Sequence, residues 1–178
     1  MEIDTDKLQD LIAEEHERAK EGWIRYVGLS AAIFAVIAAV SALRSGDLIN
    51  EALIHQIKAS DTWNEYQASR QKEHLYSVAA NGIADNGSRN ATRLREYRSE
   101  ITKEAAKESP LASKARGLEE DSATEVARHH AFEYAVALLQ VGIALGAVAA
   151  LARSKPAWYV SLASGAVGIF YFARGLIP

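Results

Sequence analysis

Four side chains close together in the sequence, Glu125, His129, His130 and Glu133, have the chemistry to hold a divalent cation. Glu125, His129 and Glu133 recur at four-residue steps, so one face of a helix would present two carboxylates and an imidazole, a partial site for zinc or a similar ion. Completing the coordination sphere needs a ligand from elsewhere, with His55 and His74 the candidates. A helix face carrying i,i+4 polar pairs accounts for the same residues more simply, so neither a metal nor any other cofactor is expected. The second suggestive group is Gln140, the strongly polar side chain inside a long apolar run. An amide in hydrocarbon seeks a partner, so Gln140 is expected to face a bundle interior or a wet cavity, as an interhelical contact to Ser30 or Ser41 ahead of a pore-lining role.

Other chemistry is not supported. The sequence holds no phosphate-cradling loop, dinucleotide fingerprint, H-E-x-x-H or nucleophile elbow, and an enzyme is not expected. With no cysteine, disulfides and thiolate sites are excluded. A net charge of −3 draws nothing toward phosphate, so nucleic acid is not an expected partner. Arg89, Arg93, Arg95 and Arg98 cluster, but Glu96, Glu100 and Glu104 follow at helical spacing as intrahelical partners, which describes a solvated face. The sequons at Asn86 and Asn90 matter only in a eukaryotic secretory protein.

The elements that must position these residues are three apolar blocks, 26–43, 134–152 and 157–173, each with Arg or Lys just outside its ends. At about 1.5 Å per helical residue each crosses, or nearly crosses, a hydrocarbon layer of about 30 Å. A mean hydropathy of −0.10 conceals this, because apolar and charged residues are segregated along the chain. The first block follows an acidic arm and is longer than the apolar core of a secretory signal, so it reads as an uncleaved span. Trp23 and Tyr26 open the first block and Trp158 and Tyr159 the third, while Phe132 and Tyr134 start the second and Phe170, Tyr171 and Phe172 finish the third. Three crossings place these aromatics in two interfacial belts.

Between the first and second blocks the pattern is helical. Residues 48–80 contain neither Gly nor Pro, Ser45-Gly46-Asp47 marks a kink, and Asn81-Gly82 and Asn86-Gly87 mark a helix stop and a loop. Ala91, Leu94, Tyr97, Ile101 and Ala105 form a second amphipathic helix, and Ser109-Pro110 reads as the N-cap and first position of another that runs on into the second block. No apolar heptad is sustained, so a long coiled coil is not expected. The apolar stripe is thin for a lone hairpin, which favours burial between copies. The acidic arm places Leu8, Leu11, Ile12, Ala19 and Trp23 on one helix face, suited to a partner helix; Glu14 to Glu17, with His16, form a solvated face.

The expected fold is therefore all-α: an integral membrane protein with three transmembrane helices and a long helical hairpin stalk between spans 1 and 2. Its parts are an acidic amphipathic arm (1–25), the spans 26–43, 134–152 and 157–173, and the extramembrane stalk 44–133. Gly142 and Gly146 on the second span, Ala31, Ala35, Ala38 and Ala42 on the first and Gly165 and Gly168 on the third are the expected helix-packing positions, within one chain or between subunits. Two cations in the short turn 153–156 lean toward a cytoplasmic N-terminus and turn.

The run from Leu48 to Leu53, followed by Lys58-Ala59-Ser60-Asp61-Thr62-Trp63-Asn64-Glu65-Tyr66-Gln67-Ala68, resembles an uncharacterised family of small bacterial membrane proteins described as a domain of unknown function. The resemblance extends to the layout of arm, span, helical insert and terminal hairpin, and it implies a bacterial inner membrane and no assigned activity. The functional expectation is a non-enzymatic structural or interaction protein, homo-oligomeric through its spans and stalk, in contact with the lipid bilayer and with a protein partner at the stalk. The alternative is a pore or channel lined by Gln140 and serines.

Overall fold

The computed structural model describes the backbone of residues 5–84 and 90–177, and the side chains of 22–83 and 90–177. Three α-helices account for nearly all of it: α1 (Thr5–Ala84, 80 residues), α2 (Ala91–Leu151, 61 residues) and α3 (Lys155–Leu176, 22 residues). Each holds a stretch long and apolar enough to cross a membrane. The arm is helical from Thr5 and continuous with the first apolar block. The side chains of Leu8, Leu11, Ile12, His16 and Ala19, together with Asn86-Gly87 and Arg89, lie outside the described residues.

Two expected helix boundaries are absent. α1, which is α-helical at Ser45-Gly46-Asp47, runs through Asn81-Gly82 before ending at Ala84. Pro110 lies inside α2 and does not start a new helix, so no third piece exists between 91 and 151. Pro removes one backbone donor and crowds the carbonyl four residues back, a cost of about 3 kcal/mol in a helix interior. Tertiary contacts on both sides of it, at Glu104 and at the fully buried Ala115, hold the helix together across that defect.

The chain divides into two units, Met1–Asp47 with Ala127–Pro178, and Leu48–Val126. In the second, α1 and α2 run antiparallel. Ser122 donates to the Ala52 carbonyl (2.9 Å), Trp63 Nε1 to Glu119 (2.8 Å) and Ser69 to Glu104 (2.5 Å), and Tyr76 meets Tyr97 with ring centroids 5.8 Å apart. The buried and half-buried residues of α1 here include 48, 52, 55, 59, 62, 66, 69, 73, 76 and 80; those of α2 include 94, 97, 101, 104, 108, 111, 115, 118, 122 and 125. Both series alternate steps of four and three, the spacing of a coiled-coil seam. This corrects the expectation that no heptad is sustained: the seam exists, but Ala52, Ala59, Thr62, Ser69 and Ala80 fill much of the α1 side, and a search for apolar heptads passes over it.

In the first unit, parts of α1, α2 and α3 pack together, with α2 antiparallel to both α1 and α3. Trp23 meets Trp158 at one end (centroids 6.0 Å apart), while Phe132 meets Phe172 (5.8 Å) and Tyr134 meets Tyr171 (5.4 Å) at the other. The turn from α2 to α3 is a Schellman closure: Ser154 N–H bonds the Ala149 carbonyl (2.9 Å) and Arg153 N–H the Ala150 carbonyl (3.3 Å), with Arg153 in the left-handed region at φ 49°. Pro156 then sits in the first turn of α3.

Candidate functional site

The interior of the three-helix unit is made by small residues that admit large ones. The Phe34 ring lies against Gly165, where an added Cβ would overlap it, and also touches the space beside Gly142. Leu139 faces Gly168, whose Cβ would come within 2.8 Å of Leu139 Cγ. Ser161, almost fully buried, donates to the Gly142 carbonyl (2.6 Å), and Ser164 donates to the Leu138 carbonyl (2.8 Å). Phe34, Ala38 and Leu139 form the core, with Ile37, Ile143 and Leu162 packed against it. Gly142, Gly146, Ala38, Gly165 and Gly168 are thus brought together within one chain. Ala35 is not: it is exposed, on a stripe of small exposed residues formed by Gly28, Ala32, Ala35, Ala39, Ala42 and Gly46.

Gln140 does not face this interior. It is exposed between the exposed Ala137, Ala144 and Ala147, and the two hydroxyls expected to meet it bond their own helix, Ser30 to the Val27 carbonyl (2.9 Å) and Ser41 to the Ile37 carbonyl (2.7 Å). The interior has no place for an amide because Phe34, Leu139 and Ile143 fill it.

The acid and histidine group separates. Glu125 is taken by His55 (Nδ1 to Oε2, 3.0 Å), and His74 lines a shallow surface hollow with Arg70, Gln71 and Leu75. His129, His130 and Glu133 come together, with one ligand atom from each lying within 4.8 Å of the others. Glu133 stands between the two rings: Oε1 is 3.3 Å from His129 Nε2 and Oε2 is 3.1 Å from His130 Nδ1. The opposite nitrogen of His129, Nδ1, is 2.9 Å from the Ser45 carbonyl and 2.8 Å from its hydroxyl. Of the four residues named from the sequence, spacing by fours grouped Glu125 with His129 and Glu133, whereas the structure groups His130 with them, through steps of three and four that meet at Glu133.

In the 48–126 unit, Glu104 is buried at a seam position and held by Ser69 and Lys107 (2.8 Å). The hydrogen bond from Lys107, then that from Ser69, keeps its carboxyl below the usual range, with the charge of Lys72 adding to this; Glu104 in turn raises Lys107. Glu100 pairs with Lys103 (3.4 Å). Glu100 and Glu104 therefore serve lysines, while Arg93, Arg95 and Arg98 are exposed. Trp63, in the run Lys58 to Ala68, packs edge-on against Tyr66 with centroids 5.4 Å apart.

The model of the family described as domain of unknown function DUF4337 matches residues 23–178, the whole chain beyond the acidic arm. The chain belongs to this family. Its DUF4337 region therefore contains all of the 48–126 unit and residues 23–47 and 127–178 of the other, with the glycine-lined interior and the His129–Glu133 group. No curated protein and no solved structure matches the chain.

Proposed function

We propose that this DUF4337 chain is a multi-pass protein of a bacterial inner membrane, with a structural or interaction role and no catalysis, that assembles with copies of itself. The observation that carries this reading is the inverted polarity of the three-helix unit. Gly142, Gly165, Gly168, Ala38, Ser41 and Ser161 are inside, whereas Leu29, Ile33, Val36, Leu43, Val148, Val160, Val167 and Phe170 are exposed. Packing of small residues, with large apolar groups outward, suits helices associating in lipid, where burying apolar surface gives no driving force. In water the same arrangement would leave an apolar surface far larger than a monomer tolerates.

Self-assembly is supported by Gln140. An amide on the outer face of an apolar span, flanked by Ala137, Ala144 and Ala147, is suited to a close helix contact that supplies its hydrogen bond. The stripe from Gly28 to Gly46 offers a second such surface, with open space around both of these glycines. The exposed Leu53, Ile54, Ile57, Leu75 and Val78 of the 48–126 unit would be covered by other copies or by a protein partner. Arg153 and Lys155 at the α2–α3 turn favour a cytoplasmic turn and N-terminus, with residues 48–126 outside.

The test is membrane fractionation followed by mass measurement of the detergent-solubilised complex. Recovery in the membrane pellet, and an oligomer that Gln140→Leu weakens while the helix content stays the same, are the expected results. A monodisperse soluble monomer without detergent overturns the proposal. A channel is the second reading, favoured by the outward position of Gln140: the protomer interior is filled, so a conduit would form where copies meet. Steady planar-bilayer current altered by Gln140→Leu would select it.

A further inference from the structure

We infer that His129, His130 and Glu133 form a binding site for a divalent transition-metal ion, Zn²⁺ by its ligand chemistry, at the start of the second apolar block. The argument begins at Ser45. His129 Nδ1 lies 2.9 Å from the Ser45 carbonyl, which can only accept, and 2.8 Å from the Ser45 hydroxyl, which can accept or donate; in the tautomer that the carbonyl selects, Nδ1 carries the proton and donates it. In the neutral ring the lone pair is then on Nε2, and Nε2 faces Glu133 Oε1 at 3.3 Å. A carboxylate oxygen is also an acceptor. Two lone pairs point at one another unless a positive centre sits between them.

His130 repeats the relationship from the other side, with Nδ1 3.1 Å from Glu133 Oε2. One ligand atom from each of the three residues thus lies within 4.8 Å of the other two. The two nitrogen–oxygen separations, 3.3 Å to Oε1 and 3.1 Å to Oε2, are close to one edge of a tetrahedral site, about 3.3–3.4 Å for metal–ligand bonds of about 2.0–2.1 Å. An Nδ1–H held by a carbonyl is also how metal-bound histidines are oriented, because it fixes the tautomer and aims Nε2 at the metal. No arginine competes from the adjacent position, since Arg128 Nε donates to the Gly175 carbonyl (3.1 Å). Imidazole and carboxylate together select zinc and its neighbours over calcium or magnesium, which prefer all-oxygen sets. His130 and Glu133 are exposed, so the ion can enter from solvent and water can fill the remaining positions. The inference is independent of the membrane reading.

The test uses purified, tag-free full-length protein, with Zn²⁺ titrated by calorimetry and Co²⁺ followed by its visible absorption. One ion per chain is expected, with affinity at least about tenfold weaker in both His130→Ala and Glu133→Gln, since loss of a ligand costs no less than loss of an outer hydrogen bond. Both side chains are exposed, so far-ultraviolet circular dichroism should stay unchanged in both variants. His74→Ala should bind as the wild type does. Absence of Zn²⁺ and Co²⁺ binding by the wild type overturns the inference and leaves a proton as the positive centre; so does binding that neither variant weakens.

Discussion

The ring of Phe34 lies where a side chain at position 165 would have to go. α1 supplies the ring and α3 the vacancy, so the approach of two helices far apart in sequence depends on one hydrogen atom in place of a methyl group. Gly165→Ala is expected to destabilise the three-helix unit by about 1–3 kcal/mol through overpacking, and Phe34→Ala by about 3–5 kcal/mol through a cavity. The double variant should lose clearly less than the sum, because each change relieves the other. Reversible unfolding in mixed detergent measures all three; strict additivity would mean the two residues do not touch.

Pro110 interrupts a helix that nevertheless continues. Pro110→Ala restores a backbone donor and should stabilise the protein by up to about 3 kcal/mol. Thermal unfolding gives the sign. A destabilised variant would show that the proline sets a bend the antiparallel pair needs.

Arg153 occupies a left-handed turn position, at φ 49°, where Gly is the usual residue. Arg153→Gly is expected to stabilise the folded state by about 1 kcal/mol, the cost of that conformation for a residue with a Cβ. It also removes one of the cations at the turn. Single cysteines placed in the otherwise cysteine-free chain, at Ser154 for instance, would report whether orientation changes with it.

Glu104 links stability to pH. Its carboxyl is lowered by Lys107, Ser69 and Lys72, so its contribution is fully present above the ordinary carboxylate value and is lost as pH falls through that value toward the folded one. Lys107, raised by Glu104 and also influenced by Glu100 and Glu65, contributes below the ordinary lysine value and loses that contribution at strongly alkaline pH. Glu104→Gln should flatten the acid limb of a stability–pH profile and leave the region near neutrality less stable. An unchanged acid limb would show that other carboxylates dominate it.

The three apolar blocks, the aromatic groups at their ends, the helical character of the intervening segment and the tight turn 153–156 were legible from residues 23–173 alone. Each follows from local composition: hydropathy over a window, and a short charged turn, 153–156, between two apolar blocks. The heptad seam was not. Ala52, Ala59, Thr62 and Ser69 take their places because two backbones run close together, and no transfer free energy distinguishes them from solvent-facing Ala and Ser on the same helix.

Positions 35, 38 and 140 show where sequence stopped and tertiary structure decided. Ala35 and Ala38 are chemically identical and three residues apart, yet one is exposed and the other packs beneath Phe34 in the core. Gln140 was recognisable as an anomaly, but its outward direction depends on which face of α2 meets Phe34 and Gly165. Likewise, pairing of Glu125 with His55 and of His129 with Ser45 needs the register between α1 and α2. Local sequence determines whether a segment is helical and which solvent it tolerates, because both depend on near neighbours. Helix phase and register depend on steric fit between residues distant in the sequence, 70 positions apart for His55 and Glu125 and 84 for Ser45 and His129, and that fit exists only once the helices have met.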